Sequence, residues 1–141
     1  MIKHAWTVIC QKSIIDQDTN NISLDVLEQI EAKIPPLPEE AKGIVLPMQI
    51  EVTSLWYREK PEQGTHGNGR LRVEAPNKKE VASANIDIDL NNNGRVRTRI
   101  RLDGLPVLKN ISGYFFFITE IESSGKWLEV ARIPLEFKIL P

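Results

Sequence analysis

Apolar residues alternate with aspartates from Ile86 to Leu90 and with arginines from Arg95 to Leu102, on either side of the cluster Asn91-Asn92-Asn93-Gly94. This period-2 pattern belongs to strands that bury one face and wet the other, and it predicts a β-hairpin over Ile86–Leu102. Opposed residues of an antiparallel pair share a face, so the loop length can be argued from the pattern. A two-residue turn sets Ile88 against Arg99, whereas a three-residue loop Asn92–Gly94 matches Ile88 with Thr98, Leu90 with Val96 and Ile86 with Ile100. The longer loop also gives Gly94 a position that wants positive φ, and it sets Asp89 opposite Arg97 and Asp87 opposite Arg99.

The same alternation recurs along the chain. His4–Gln11 reads as a strand with two fairly apolar faces, followed by an acidic turn cluster from Ser13 to Asn21. Ile22–Ile34 fits a helix by local propensity. A strand with a bulge is nevertheless expected, because every neighbouring element reads as β and a Pro-rich connection, Pro35-Pro36-Leu37-Pro38, follows. Ile44–Arg58, Arg70–Ala75, Val81–Leu90, Ser112–Ile118 and Trp127–Ile139 complete the set, with turns at Pro76–Lys79 and Ser123–Gly125. Pro134 inside the last strand requires an edge position or a bulge. The count is about eight strands at the short spacing of an antiparallel sandwich or barrel.

At 141 residues the chain is expected to form one domain, 1–141, large enough to fold without a disulfide or metal staple. A net charge of −1 offers no bulk attraction for nucleic acid or an anionic membrane. Cys10 is the one cysteine, which excludes an internal disulfide and fits a reducing compartment. With no apolar run at the N-terminus and no segment of membrane-spanning length, a soluble cytoplasmic protein is expected.

Leu55-Trp56-Tyr57-Arg58-Glu59-Lys60-Pro61, and Leu102-Asp103-Gly104-Leu105 followed by Gly113-Tyr114-Phe115-Phe116, resemble two passages of the immunoglobulin-type sandwich. The resemblance implies that Trp56 lies in the core and that Tyr114 turns inward to donate its hydroxyl to upstream backbone. Phe116 stands where such domains carry a cysteine, so the likeness excludes the inter-sheet disulfide. The chain as a whole resembles small single-domain bacterial proteins of unassigned function. That likeness rests on the opening strand, the Ile-Ser-Leu strand after the acidic turn and the closing Gly-Leu-Pro, Gly-Tyr-Phe and Ile-Pro-Leu pieces. The expected fold is therefore an all-β, antiparallel, immunoglobulin-like β-sandwich.

Candidate chemistry is sparse. His4 and His66 have no nucleophile motif around them, and two histidines with one cysteine do not make a zinc set. Asp16, Asp18 and Asn20 have alternate calcium-loop spacing but lack its glycine and downstream glutamate. Gly64–Gly69 is glycine-rich without the strand and helix that make such loops cradle phosphate, and reads as a mobile hairpin loop. No catalytic residue, cofactor or metal site is assigned. Arg95, Arg97, Arg99 and Arg101 form a basic strand face, half neutralised by Asp87 and Asp89 and without interleaved aromatics, which argues against nucleic acid and for a structural role. If Trp56 and Tyr114 point inward on neighbouring strands, Leu55, Tyr57, Phe115 and Phe117 form an outer apolar patch of the kind that marks an interface. The expected function is a non-catalytic protein-interaction module, binding a protein partner or a second copy through that patch. The alternatives are a structural subunit of a larger, phage-like assembly built through strand edges, and a small-ligand or enzyme site in the Glu59–Gly69 loop around His66.

Overall fold

The computed structural model describes residues Met1–Pro141. Eleven strands and no helix form the chain: β1 (Ile2–Ile15), β2 (Ile22–Val26), β3 (Gln29–Ala32), β4 (Gly43–Leu46), β5 (Ile50–Arg58), β6 (Thr65–Glu74), β7 (Glu80–Leu90), β8 (Arg95–Leu102), β9 (Leu105–Leu108), β10 (Gly113–Ser123) and β11 (Lys126–Ile139). They make a four-stranded sheet, β2-β1-β5-β8, a five-stranded sheet, β3-β11-β10-β6-β7, and a two-stranded pair, β4-β9. All pairs are antiparallel except β3 with β11. Eleven strands rather than about eight arise because Ile22–Ile34 and Ile44–Arg58 each divide in two and Leu105–Leu108 pairs with β4.

A core shared by the two large sheets lies between them. Ile9, Val52 and Trp56 from the first pack with Leu71, Val73, Ile86, Ile88, Phe115, Phe117, Leu135 and Phe137 from the second. Removing this apolar area from water supplies the main driving force for the fold. Ile22–Ile34 is extended, as expected, but its break is not a bulge. β2 ends the first sheet and β3 ends the second, so the chain crosses between layers at Leu27-Glu28. Pro134 pairs only with Phe116, because β3 joins β11 from Glu136 onward, which is the edge position a proline needs. The β6–β7 and β10–β11 hairpins turn where the sequence places them, with positive φ at Lys78 and at Ser124 and Gly125.

The Ile86–Leu102 segment is not a hairpin. β7 pairs with β6 in one sheet and β8 with β5 in the other, and Asn91–Gly94 carries the chain from layer to layer without a positive φ at Gly94. Alternation cannot separate these outcomes. Two strands that pair in one sheet, and two that face each other across a core, both turn Ile86, Ile88 and Leu90 and Val96, Ile100 and Leu102 toward the same interior.

The outer-patch expectation is corrected in the same way. Phe115 and Phe117 are buried at 1% and 0% exposure, while Tyr114 is 54% exposed and its hydroxyl makes no hydrogen bond. The phenylalanines supply the inward parity of β10, so Tyr114 and Phe116 point out. β5 and β10 also lie in different sheets, so Leu55 and Tyr57 are not neighbours of Phe115 and Phe117. Trp56 is fully buried as expected, its Nε1 donating to Thr98 Oγ1 at 2.9 Å.

Candidate functional site

The register of the first sheet lays its outer face out in cross-strand rows. Lys3, Tyr57 and Arg95 share one row, Trp6, Leu55 and Arg97 the next, then Val8, Thr53 and Arg99, and finally Cys10, Glu51 and Arg101. A bulge between His4 and Trp6 sets this arrangement. It leaves His4 inward beside Trp56 and turns Trp6 outward beside Leu55.

A second irregularity, between Cys10 and Ser13, bends the end of β1 together with β2 across this face. β2 ends the sheet opposite to β8, yet Arg99 Nη1 donates to Ser13 Oγ at 3.2 Å, and Arg97 Nη2 donates to Asn20 O and Oδ1 at 2.9 and 2.8 Å. The intervening turn is built as its composition requires. Asp16 Oδ1 accepts from the amides of Asp18 and Thr19, and Asn20 takes φ of 60°.

Beneath the bent hairpin, Cys10, Glu51 and Thr53 are buried at 0%, 2% and 0% exposure. Thr53 Oγ1 donates to Glu51 Oε2 at 3.0 Å, and Arg101 Nε lies 3.5 Å from Glu51 Oε1. Burial pushes the Glu51 carboxyl up, but hydrogen bonds from Ser13, Thr53 and Cys10, with the charge of Arg99, together hold it below its usual range. Burial and the neighbouring Glu51 push the Cys10 thiol up to about 11, which makes it an unreactive thiol.

Between the Asp16–Asn21 turn and β8 the outer face opens into a groove of about 810 Å³, walled by Trp6, Leu55, Ile22, Arg95, Arg97 and Arg99 among others. Asn20, Asn93 and Arg95 also line an adjoining cleft of about 570 Å³ with Tyr57 and Arg58. No carboxylate lines either. Arg58 Nε donates to the Asn93 carbonyl at 3.0 Å, and the Arg95 side chain makes no hydrogen bond or ion pair. The expected neutralising partners lie elsewhere: Asp87 Oδ1 is 2.6 Å from His66 Nε2, and Asp89 Oδ1 accepts from the Asn91 amide.

The structure thus brings together Leu55, Tyr57, Arg95, Arg97 and Arg99, two sets of candidates that the sequence kept apart, and adds Trp6 and Arg58. Arg101 stands apart, over Glu51. No aromatic interleaves with the arginines along β8 itself, but Trp6 of β1 and Tyr57 of β5 lie beside the stripe in the same cross-strand rows. Alternation sets Trp6 on one face of β1 with Val8 and Cys10, as the structure has it, but both faces of that strand are fairly apolar, so the pattern does not say which one is outward.

Thr65–Gly69 belongs to β6 rather than to a hairpin loop, since β5 and β6 lie in different sheets. His66 nevertheless shares an open cleft of about 500 Å³ with His4, Lys3, Glu122 and Ser123. His4 Nε2 is engaged by Thr7 Oγ1 at 2.7 Å, and its ring meets Trp56 edge-on at 5.1 Å. Burial lowers its pKa against a smaller backbone contribution from Trp6. No group of three or more His, Cys, Asp or Glu side chains is placed to hold a metal ion. No helix is long and apolar enough to cross a membrane.

No family model matches the chain, and no curated protein matches it. Among solved structures, dimeric latent PorU from Porphyromonas gingivalis is similar over 91% of this chain, at a TM-score of 0.45 and 14% identity. The matched region is 12% of that protein's chain.

Proposed function

We propose that the protein is a non-catalytic protein-interaction module that holds an acidic, partly apolar segment of a partner in the groove on the outer face of its first sheet. The observation that carries this reading is the carboxylate-free lining, in which Arg95, Arg97 and Arg99 of β8, with Arg58, run beside the apolar strip of Trp6, Leu55 and Tyr57. Apolar side chains of the segment lie against Trp6 and Leu55, and its carboxylates meet the guanidiniums. The planar, weakly hydrated guanidinium suits bidentate carboxylate recognition. Electrostatic complementarity of this kind selects partners and speeds encounter more than it adds affinity. Binding through Leu55 and Tyr57 is retained from the sequence expectation, and binding through Phe115 and Phe117 is given up. The net charge of −1 favours a protein segment over nucleic acid, whose capture needs a basic excess. The immunoglobulin-like reading of the fold is supported by fully buried Trp56 between two sheets and loses the support of Tyr114. The single, buried Cys10 favours a reducing, cytoplasmic setting.

The test is fluorescence anisotropy with a labelled peptide of alternating Glu and Leu. Wild type binds it in a salt-sensitive manner, and Arg95→Glu weakens binding on the order of tenfold. Equal binding by wild type and Arg95→Glu refutes the groove as the docking site.

The cleft shared by His4 and His66 favours a second reading, a small-ligand site at that end of the molecule. Its test is a small-molecule thermal-shift screen in which a hit is retained by Arg95→Glu and lost by His66→Ala.

A further inference from the structure

β7 and β8 are the two edge strands on one side of the molecule, one in each layer, and they differ from the edges opposite. β2 and β3, the other two ends, are five and four residues long, whereas β7 and β8 are eleven and eight. β8 keeps an unbroken register with β5 from Arg95 to Leu102, so it carries no bulge, and neither strand contains a proline. Short length, bulges and prolines are how folded chains prevent edge pairing. The one bulge of β7, at Val81, lies at its start; over residues 82–90 and along all of β8 these devices are absent, and charge is what governs the edge. β7 presents Asp87 and Asp89 outward, and β8 presents Arg95, Arg97, Arg99 and Arg101.

We propose that two copies of this chain associate edge to edge about a two-fold axis running along the strands between the layers, β7 of each copy pairing with β8 of the other. Such an axis exchanges the layers and preserves strand direction. Because Asn91–Gly94 reverses the chain between β7 and β8, each new pair is antiparallel. The first sheet of one copy then continues into the second sheet of its partner on both sides, and the assembly closes as a pair.

The register that the sequence pattern predicts within one chain is satisfied between chains. Asp89 lies opposite Arg97, Asp87 opposite Arg99, and Ile88 and Leu90 face inward beside Thr98 and Val96. β8 against β8 would oppose arginines and β7 against β7 would oppose aspartates, so charge selects the crossed pairing over either like pairing. The intramolecular contacts leave room for it. Arg97 uses only Nη2 for Asn20 and Arg99 only Nη1 for Ser13, so each keeps donors for a carboxylate, and Asp87 keeps Oδ2 beside the His66 contact; in the dimer Arg58 and Arg95, which face no aspartate, are the arginines left for an acidic segment in the groove.

Sedimentation equilibrium on the full chain tests the proposal, with circular dichroism confirming that each variant is folded. Wild type shows a monomer–dimer equilibrium. The variant carrying Asp87→Arg and Asp89→Arg, and the variant carrying Arg97→Asp and Arg99→Asp, each dissociate at least tenfold more readily alone. Mixed in equal amounts, the two variants form a heterodimer, because every crossed strand pair is then complementary again. Asp87→Asn with Asp89→Asn, a milder change, gives an intermediate weakening. A wild type that stays monomeric at all concentrations, a dimer indifferent to both reversals, two reversed variants that fail to restore each other, or open-ended polymers in place of a closed pair each overturn it.

Discussion

Arg97 Nη2 donates to both the backbone carbonyl and the side-chain oxygen of Asn20, at 2.9 and 2.8 Å, and so ties the turn after β1 to the far edge of the same sheet. Asn20→Gly retains the carbonyl and tolerates the φ of 60°, whereas Arg97→Ala removes the tie. Exposed contacts of this type contribute about 1 kcal/mol or less, so neither variant shifts global stability much. Arg97→Ala instead accelerates amide hydrogen exchange through the Asp16–Asn21 turn, and Asn20→Gly does so less. Unchanged exchange in Arg97→Ala would show that the turn stands without β8.

On the outer face of the second sheet, Glu120 accepts from Arg70 Nε and Arg72 Nε, each at 2.7 Å, and Arg70 stacks on Trp127 at 4.2 Å. Glu120→Gln leaves two guanidiniums short of a charge, at a cost of about 2 kcal/mol for this largely buried group with partly wetted partners. Equilibrium urea unfolding measures it. A loss under about 0.5 kcal/mol would mean that water satisfies Arg70 and that Glu74 and Glu80, at 3.5 and 3.6 Å, suffice for Arg72.

The acid limit is set by carboxylates held below their usual range, Glu51 and Glu120, and above them by His4. Burial pushes the Glu120 carboxyl up, but the hydrogen bonds and charges of Arg70 and Arg72 outweigh it, so its folded pKa lies below the ordinary 4.5. The stability it adds is therefore present above that value and lost as pH falls below it. His4, buried beside Trp56, has a folded pKa below the ordinary 6.5, so its contribution is likewise present above 6.5 and lost as pH drops through the folded value. Stability of wild type falls in two stages on acidification. His4→Gln removes the earlier stage, near and below pH 6.5, in urea midpoints recorded against pH. A His4→Gln curve parallel to wild type in that range contradicts the assignment.

The parity of β10 separates two adjacent types of aromatic site. Phe117→Ala empties a fully buried position and costs about 3–5 kcal/mol. Tyr114→Ala, at a solvated position, changes stability by about 0.5 kcal/mol or less. Thermal and urea unfolding of the pair distinguish them, and the reverse order would restore Tyr114 to the core.

Strand positions and turns are legible in this chain because they are local. Alternation marks β5, β7, β8 and β11, Asp16–Asn21 and Ser124-Gly125 mark reversals, and Pro134 marks an edge. Strand partnership is not local. Ile86–Leu90 and Arg95–Leu102 read as a hairpin because burial against a common core imposes the same pattern as pairing. The face of Phe115 and Phe117 needed an anchor, and Tyr114 supplied the wrong one. The groove was legible only as fragments: Leu55 and Tyr57 as outward apolar residues, and Arg95, Arg97 and Arg99 as a charged stripe. Joining them takes the β5–β8 register, the β1–β5 register that sets Trp6 beside Leu55 and the bend that brings Asn20 across the sheet, none of which leaves a periodic trace.

The most direct test of the groove is the set of indole N–H resonances in a proton–nitrogen correlation spectrum, assigned by Trp→Phe variants. The three tryptophans report from three environments: Trp6 in the groove, Trp56 in the core bonded to Thr98, and Trp127 under Arg70. Addition of the Glu/Leu peptide is expected to move the Trp6 resonance in wild type and not in Arg95→Glu, with Trp56 and Trp127 unmoved in both. Binding of the peptide that shifts Trp127 while leaving Trp6 in place would contradict the account.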